Sequence, residues 1–175
     1  FEGGPADSLD YLQAFFDSLA GDELDAYLEA ARGMRDSVHW FGRFEHDILS
    51  RLTPAANCQI VPSTFPEAFG MVAAEAAACG VPPISADHSG LAEVTSQLQV
   101  GMSGVASALF SFNLGPRAVP QLGGRITGVL GMGYHERNEV SARLVDTARE
   151  KFSWAGVARD MVAAASGDHK PLHKP

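Results

Sequence analysis

The chain has 175 residues with 13 Lys+Arg against 21 Asp+Glu, a formal net charge of −8, and that length suits one domain with a real core and crowds two. Hydrophobic residues make up 46% and charged residues 19%, a globular balance that argues against disorder, and no apolar run approaches the roughly 18 residues of a membrane span. The acidic balance argues against a nucleic-acid or anionic-membrane surface. Cys58 and Cys79 fit no disulfide framework or zinc spacing, so a reducing, cytoplasmic setting is expected, and no basic-then-apolar leader pattern is visible.

Charge is unevenly spread. Between Phe1 and Ala31 stand eight acids and no Lys or Arg, and none occurs between Leu52 and Pro116. An anionic ligand held by that middle stretch must rest on backbone groups or on cations from elsewhere.

In chain order, Phe1-Glu-Gly-Gly-Pro5 reads as the exit of a strand already under way, so a piece of something longer is expected. Ser8 is a candidate N-cap for a helix carrying Leu9, Leu12, Phe15, Phe16 and Leu19. Gly21 breaks it, Asp22 caps a second helix with Leu24, Tyr27, Leu28 and Ala31, and Gly33 is expected to end that one. Val38 to Phe41, closed by Gly42, predicts a strand and turn. A short helix is predicted over 45–52, a buried strand over 58–61, a polar loop over 63–69 and an Ala-rich helix over 70–79, stopped by Gly80. A third strand over 83–86 precedes a loop and a short helix around 91–94. One more strand fits within 108–114, followed by helices over 119–130, 136–152 and 154–165. The last ten residues predict a flexible tail. Strands alternating with helices point to βαβ units and a parallel sheet.

The informative segment runs from Pro62 to Gly80: a strand end, a loop bearing Glu67, a glycine at a helix start, and Glu75 on that helix. In open α/β folds such a loop lies beyond the carboxyl ends of the strands, where ligands bind. The first amides of the helix, at Gly70, Met71 and Val72, suit a phosphate. Glu75, about 7 Å further along, is placed for a sugar diol, which a carboxylate accepts with two parallel hydrogen bonds. Glu67 is placed for a second sugar beyond the phosphates. Spacing alone equally fits two solvated carboxylates on an ordinary packing helix.

The stretch from Val38 to Val94 resembles the nucleotide-sugar-binding C-terminal domain of family 4 (group 1) glycosyltransferases of the GT-B fold. The resemblance rests on Val38 to Gly42, Val61-Pro62-Ser63, Glu67 to Glu75, Ala78 to Pro82, Ile84-Ser85-Ala86 and Ser89 to Val94, in that order. Phe152-Ser153-Trp154 with Val157-Ala158 is similar to the family's closing helix. It implies an α/β, Rossmann-like parallel sheet flanked by helices with a helical C-terminal extension. Residues 1–165 would form the nucleotide-sugar-binding domain, lacking its first strand and helix, and 166–175 a tail. It implies a retaining transferase moving a sugar from a nucleoside-diphosphate sugar to a hydroxyl acceptor, without metal or other cofactor. Glu75 would hold the ribose and Glu67, the catalytic residue, the donor hexose. Phe69, Gly70, Met71 and Val72 would surround the pyrophosphate and ribose, Gly42 and Arg43 would lie near the base, and Ser89 and Gly90 would line the next loop.

Two departures qualify this. Ser89-Gly90 stands where many relatives carry Gly-Gly, and the family's Gly-Arg/Lys…Lys-Gly phosphate segment has no counterpart here. The expectation is therefore a piece, inactive alone, whose acceptor and any peripheral membrane contact belong to a missing N-terminal domain. A non-catalytic interaction module and a GT-B-like epimerase or phosphorylase remain alternatives. Asp87-His88-Ser89 contains triad residue types, but consecutive side chains are expected to diverge. His39 and His46 are expected at the surface or in a strand, Cys79 as packing, and Trp40, Trp154 and the phenylalanines in the core. Gly123-Gly124 and Gly128 to Gly133 follow no convincing strand and are discounted as a dinucleotide loop.

Overall fold

The computed structural model describes residues 7–39 and 41–168, and the chain divides into two compact units, Phe1–Phe44 and Glu45–Pro175. The first unit contains α1 (Asp7–Ser18) and α2 (Gly21–Ser37). The Glu23 carboxylate accepts from the Ala20 N–H at 3.2 Å at the start of α2, so Ala20 rather than Asp22 is the N-cap. Phe15, Phe16 and Tyr27 meet edge-on or tilted, with centroids 5.2–5.8 Å apart. The helix α2 runs through Gly33 to Ser37 instead of stopping. Nothing lies within 4 Å of a Cβ at Gly33, and the roughly 1 kcal/mol that a mid-helix glycine costs is too little to end a helix by itself. The expected strand at 38–41 is not formed by its described residues: Val38, His39 and Phe41 are irregular and exposed, and Trp40 lies outside the described residues.

The second unit is an α/β layer structure. It opens with α3 (His46–Leu52) and a single 3-10 turn, Thr53–Ala55. Then follow β1 (Gln59–Val61), α4 (Met71–Ala78), β2 (Pro83–Ala86), α5 (Ser89–Gln99), α6 (Gly104–Ser107), β3 (Ser111–Phe112), α7 (Ala118–Leu130), α8 (Tyr134–Lys151) and α9 (Trp154–Ala165). The strands form a parallel sheet in the order β1-β2-β3, with Ile60 beside Ile84, and Ser85 beside both Val61 and Ser111. This is the Rossmann-like arrangement expected from the sequence. All four residues of β2 are buried, as befits a central parallel strand covered on both faces. The third strand exists but is two residues long, while α5 is longer than expected and begins at Ser89. The Gly123-Gly124 pair lies within α7.

The core joins Ile84 and Ala86 of the sheet to Leu91, Val94 and Leu98 of α5, to Phe110 and Phe112, and to Val140, Leu144 and Ala148 of α8. The helix α4 contributes only alanines, with Ala73, Ala74, Ala76 and Ala77 buried. Methyl-sized side chains let its backbone lie close to its neighbours. At its end Gly80, with φ +74°, comes so near α8 that a Cβ would meet the Ser141 hydroxyl. The aromatic residues divide against expectation. Phe110 and Phe112 are buried, but Phe41, Phe65 and Phe69 are exposed and Trp154, at 91%, is the most exposed large hydrophobic residue among those described.

Candidate functional site

The strands are parallel, so the connections leaving β1 and β2 emerge at the same end of the sheet. The first runs over residues 62–70 and carries Glu67; the second is Asp87-His88, leading into Ser89 at the start of α5. Both demand an unusual backbone. Gly70 caps α4 with φ +86° and ψ 43°, a left-handed conformation that costs a non-glycine residue about 1–2 kcal/mol. The same glycine faces α5, where a Cβ would sit 2.9 Å from Leu91 Cδ2 and 3.2 Å from Leu91 Cα. Ser89 adopts φ +49°, the only positive φ at a non-glycine residue among those described.

The two connections are stitched together. The Gly90 N–H donates to the Glu67 carbonyl at 3.0 Å, and the Glu67 N–H donates to Ser89 Oγ at 3.0 Å. His88 Nε2 lies 2.8 Å from the Ser63 carbonyl oxygen, and Ser89 Oγ lies 3.1 Å from His88 Nδ1. A carbonyl only accepts, so the network assigns the proton to Nε2 and leaves Nδ1 of the neutral ring to accept from the Ser89 hydroxyl. His88 and Ser89 thus do meet, contrary to the expected divergence of consecutive side chains, because the left-handed turn at Ser89 swings its hydroxyl back. They still form no hydrolytic triad: the imidazole's other partner is a main-chain carbonyl, and Asp87 is exposed.

At the start of α4, the N–H groups of Ala73 and Ala74 bond to the Gly70 carbonyl. Among the described residues, the amides of Gly70, Met71 and Val72 have no protein acceptor. Such a helix start attracts an anion through its free N–H groups and dipole. Glu67 is half-buried and Glu75 exposed. Glu75 stands between two clefts. One, of about 240 Å³, is lined by Phe69, Met71, Glu75, Arg149, Phe152 and Ser153 among others. The other, of about 490 Å³, lies between α3 and α4 and includes His46, Gln59, Val72, Glu75 and Cys79.

Three residues here were not among the expected site residues. Arg149, which no part of the middle of the chain could supply, borders the cleft of Met71 and Glu75. Phe152 packs edge-on against Phe69, with centroids 5.7 Å apart. His46, expected to be a bystander, has Nδ1 3.9 Å from Glu75 Oε1; both groups are solvated, so the contact contributes little. The Cys79 thiol is pushed up by burial first and by the Glu75 carboxylate second, which disfavours the thiolate and agrees with a packing role. Of the other expected site residues, Gly42, with φ +72°, and Arg43 belong to the first unit. Gly90 is buried with its N–H committed to Glu67, and Ser89 and Gly90 begin a helix rather than line a loop. Among the described residues, no cluster of His, Cys, Asp or Glu is arranged to hold a metal ion, and no helix is long and apolar enough to cross a membrane.

Comparison with known proteins points to one family. Residues 20–107, half of the chain, match the family model described as glycosyl transferases group 1. A D-inositol 3-phosphate glycosyltransferase of Salinispora tropica is 35% identical over 77% of this chain and 25% of its own length. A glycogen synthase of Mycobacterium tuberculosis is 29% identical over 86% of this chain and 35% of its own. The chain thus spans about a quarter to a third of these relatives. No solved structure matches at a significant level. On the family match, and on a parallel sheet whose helix start is flanked by two glutamates, the chain belongs to the group 1 glycosyltransferases.

Proposed function

We propose that this chain is the donor-binding part of a retaining glycosyltransferase, taking a nucleoside-diphosphate sugar and transferring its sugar to a hydroxyl acceptor. The observation that supports this best is the start of α4, where three amides without protein partners among the described residues lie between Glu67 and Glu75. In this reading the diphosphate sits on the amides of Gly70, Met71 and Val72, and Glu75 accepts from the ribose hydroxyls. Glu67 meets the donor hexose. As the bond from the sugar to the diphosphate breaks, negative charge builds on the leaving phosphate, and fixed amide dipoles oppose that charge without reorganising. Arg149, from the cleft shared with Met71 and Glu75, supplies the positive charge that the middle of the chain lacks, and no divalent ion is required. D-inositol 3-phosphate and glycogen, for which the relatives are named, both present hydroxyls, and we extend that acceptor class to this chain. The acceptor is held largely by parts of the protein outside this chain, in the cytoplasm.

Calorimetric titration of UDP, ADP and GDP tests the reading. One of them should bind, and Glu75→Ala should weaken it by about 1–3 kcal/mol, the scale of a lost charged hydrogen bond. Equal affinity in wild type and variant removes Glu75 from the ribose role.

A further inference from the structure

We infer that His88 and Ser89 are positioning residues for Glu67, holding the main chain of the glutamate-bearing loop so that its carboxylate meets the donor at a fixed place. The inference deepens the reading above and rests on Glu67 touching the donor. Among the described residues, the hydrogen bonds tying residues 62–69 to the rest of the protein all end on three consecutive residues, His88, Ser89 and Gly90. Gly90 supplies its bond through the main chain, and a Cβ there would press on the backbone of Ala68 and Phe69. His88 and Ser89 supply theirs through side chains: the imidazole holds the Ser63 carbonyl, and the hydroxyl holds the Glu67 N–H. The two are coupled, since the Ser89 hydroxyl gives its proton to His88 Nδ1 and keeps its lone pairs for Glu67.

The backbone carries an independent sign. Ser89 stands at φ +49°, a conformation that glycine adopts freely and that persists elsewhere only when surroundings over-determine it. A serine here accepts the strain and gains two hydrogen bonds to the loop and its imidazole. Strain and clamp can be separated, because Ser89→Gly removes both, whereas loss of the clamp alone follows from His88→Phe.

The experiment joins NMR of the chain with kinetics of the full-length enzyme, using UDP-glucose, ADP-glucose and GDP-mannose as donor probes. In wild type, the His88 ring should carry its proton on Nε2, and the Glu67 amide should exchange slowly with solvent. Ser89→Gly should leave the melting midpoint unchanged or higher, yet speed Glu67 exchange and lower kcat, each by about tenfold, with donor KM within about twofold, as expected when orientation rather than affinity is lost. His88→Phe should lower kcat likewise. His88→Gln, whose amide can donate to the Ser63 carbonyl, should recover most of it. Glu67 exchange that is no faster in Ser89→Gly overturns the proposal whatever the kinetics. An unchanged kcat in Ser89→Gly and His88→Phe, while Glu67→Gln loses turnover, also overturns it and leaves the Glu67 assignment standing. Unaltered turnover in Glu67→Gln instead removes that assignment, and the positioning role with it.

Discussion

Two strand-to-helix connections leave the same end of the sheet and meet one backbone demand with different residues. The turn into α4 uses Gly70 at φ +86°, at no steric cost and with no side chain to spend on neighbours. The turn into α5 uses Ser89 at φ +49°, strained but able to bind the loop beside it. The first connection is long and presents chemistry: the Glu67 carboxylate within it, amides without a partner among the described residues where it enters α4, and Glu75 one turn further on. The second is short and presents ties. A site of this kind needs both, since a loop that displays polar groups to a ligand has few of its own left to fix itself.

The largest expected effect comes where the connections touch. A Cβ at Gly90 would lie 2.5 Å from Phe69 N, 2.6 Å from its Cα and 2.7 Å from the Ala68 carbonyl carbon. These are backbone atoms with no rotamer to turn away. Gly90→Ala should therefore cost about 3 kcal/mol of stability, read as a lower urea midpoint with unchanged slope. A variant as stable as wild type would mean that the two connections are not in contact. Gly70→Ala should cost less, about 2 kcal/mol, because the left-handed conformation is penalised but the nearest atom, Leu91 Cδ2, is a side-chain atom at 2.9 Å and the backbone stands back at 3.2 Å. The smallest effect tests the electrostatics of α4. The Glu75 carboxylate raises the Cys79 thiol, so Glu75→Gln should shift its alkylation profile to lower pH and speed reaction at fixed pH by about two- to threefold. Cys58, raised by burial alone, should react as before and serves as the internal reference.

Much of this was legible in the sequence because local pattern and tertiary environment agree. Pro83 to Ala86 is a short run between Gly80 and Asp87 with Ile84 at its centre, and it is a strand buried at every position. The Ala-rich stretch after Gly70 is a helix for which small side chains are the point. The failures have physical causes. Val38 to Phe41 has the β-branched and aromatic composition of a strand, but β-propensity expresses packing against partners, and none of the described strands pairs with it. Trp154 looked like core, yet the helix it begins turns it to solvent. The His88–Ser89 contact depends on one backbone angle that residue identity does not announce. Arg149 reaches the cleft only because α8 packs on α4, a contact between distant parts of the chain.

The alanine face of α4 has a consequence for how such a site changes. Its packing positions, 73, 74, 76 and 77, are buried, while Met71, Val72, Glu75 and Ala78 are exposed and line one or both clefts. Apart from Ala74, which also borders the first cleft, the residues that hold the helix and those that line the clefts are different sets. If the clefts hold the donor as proposed, substitutions on the cleft side would retune which donor is preferred without disturbing the core, and the core could be selected for stability without altering chemistry. A single two-turn helix therefore lets a lineage explore substrates at little risk to its fold.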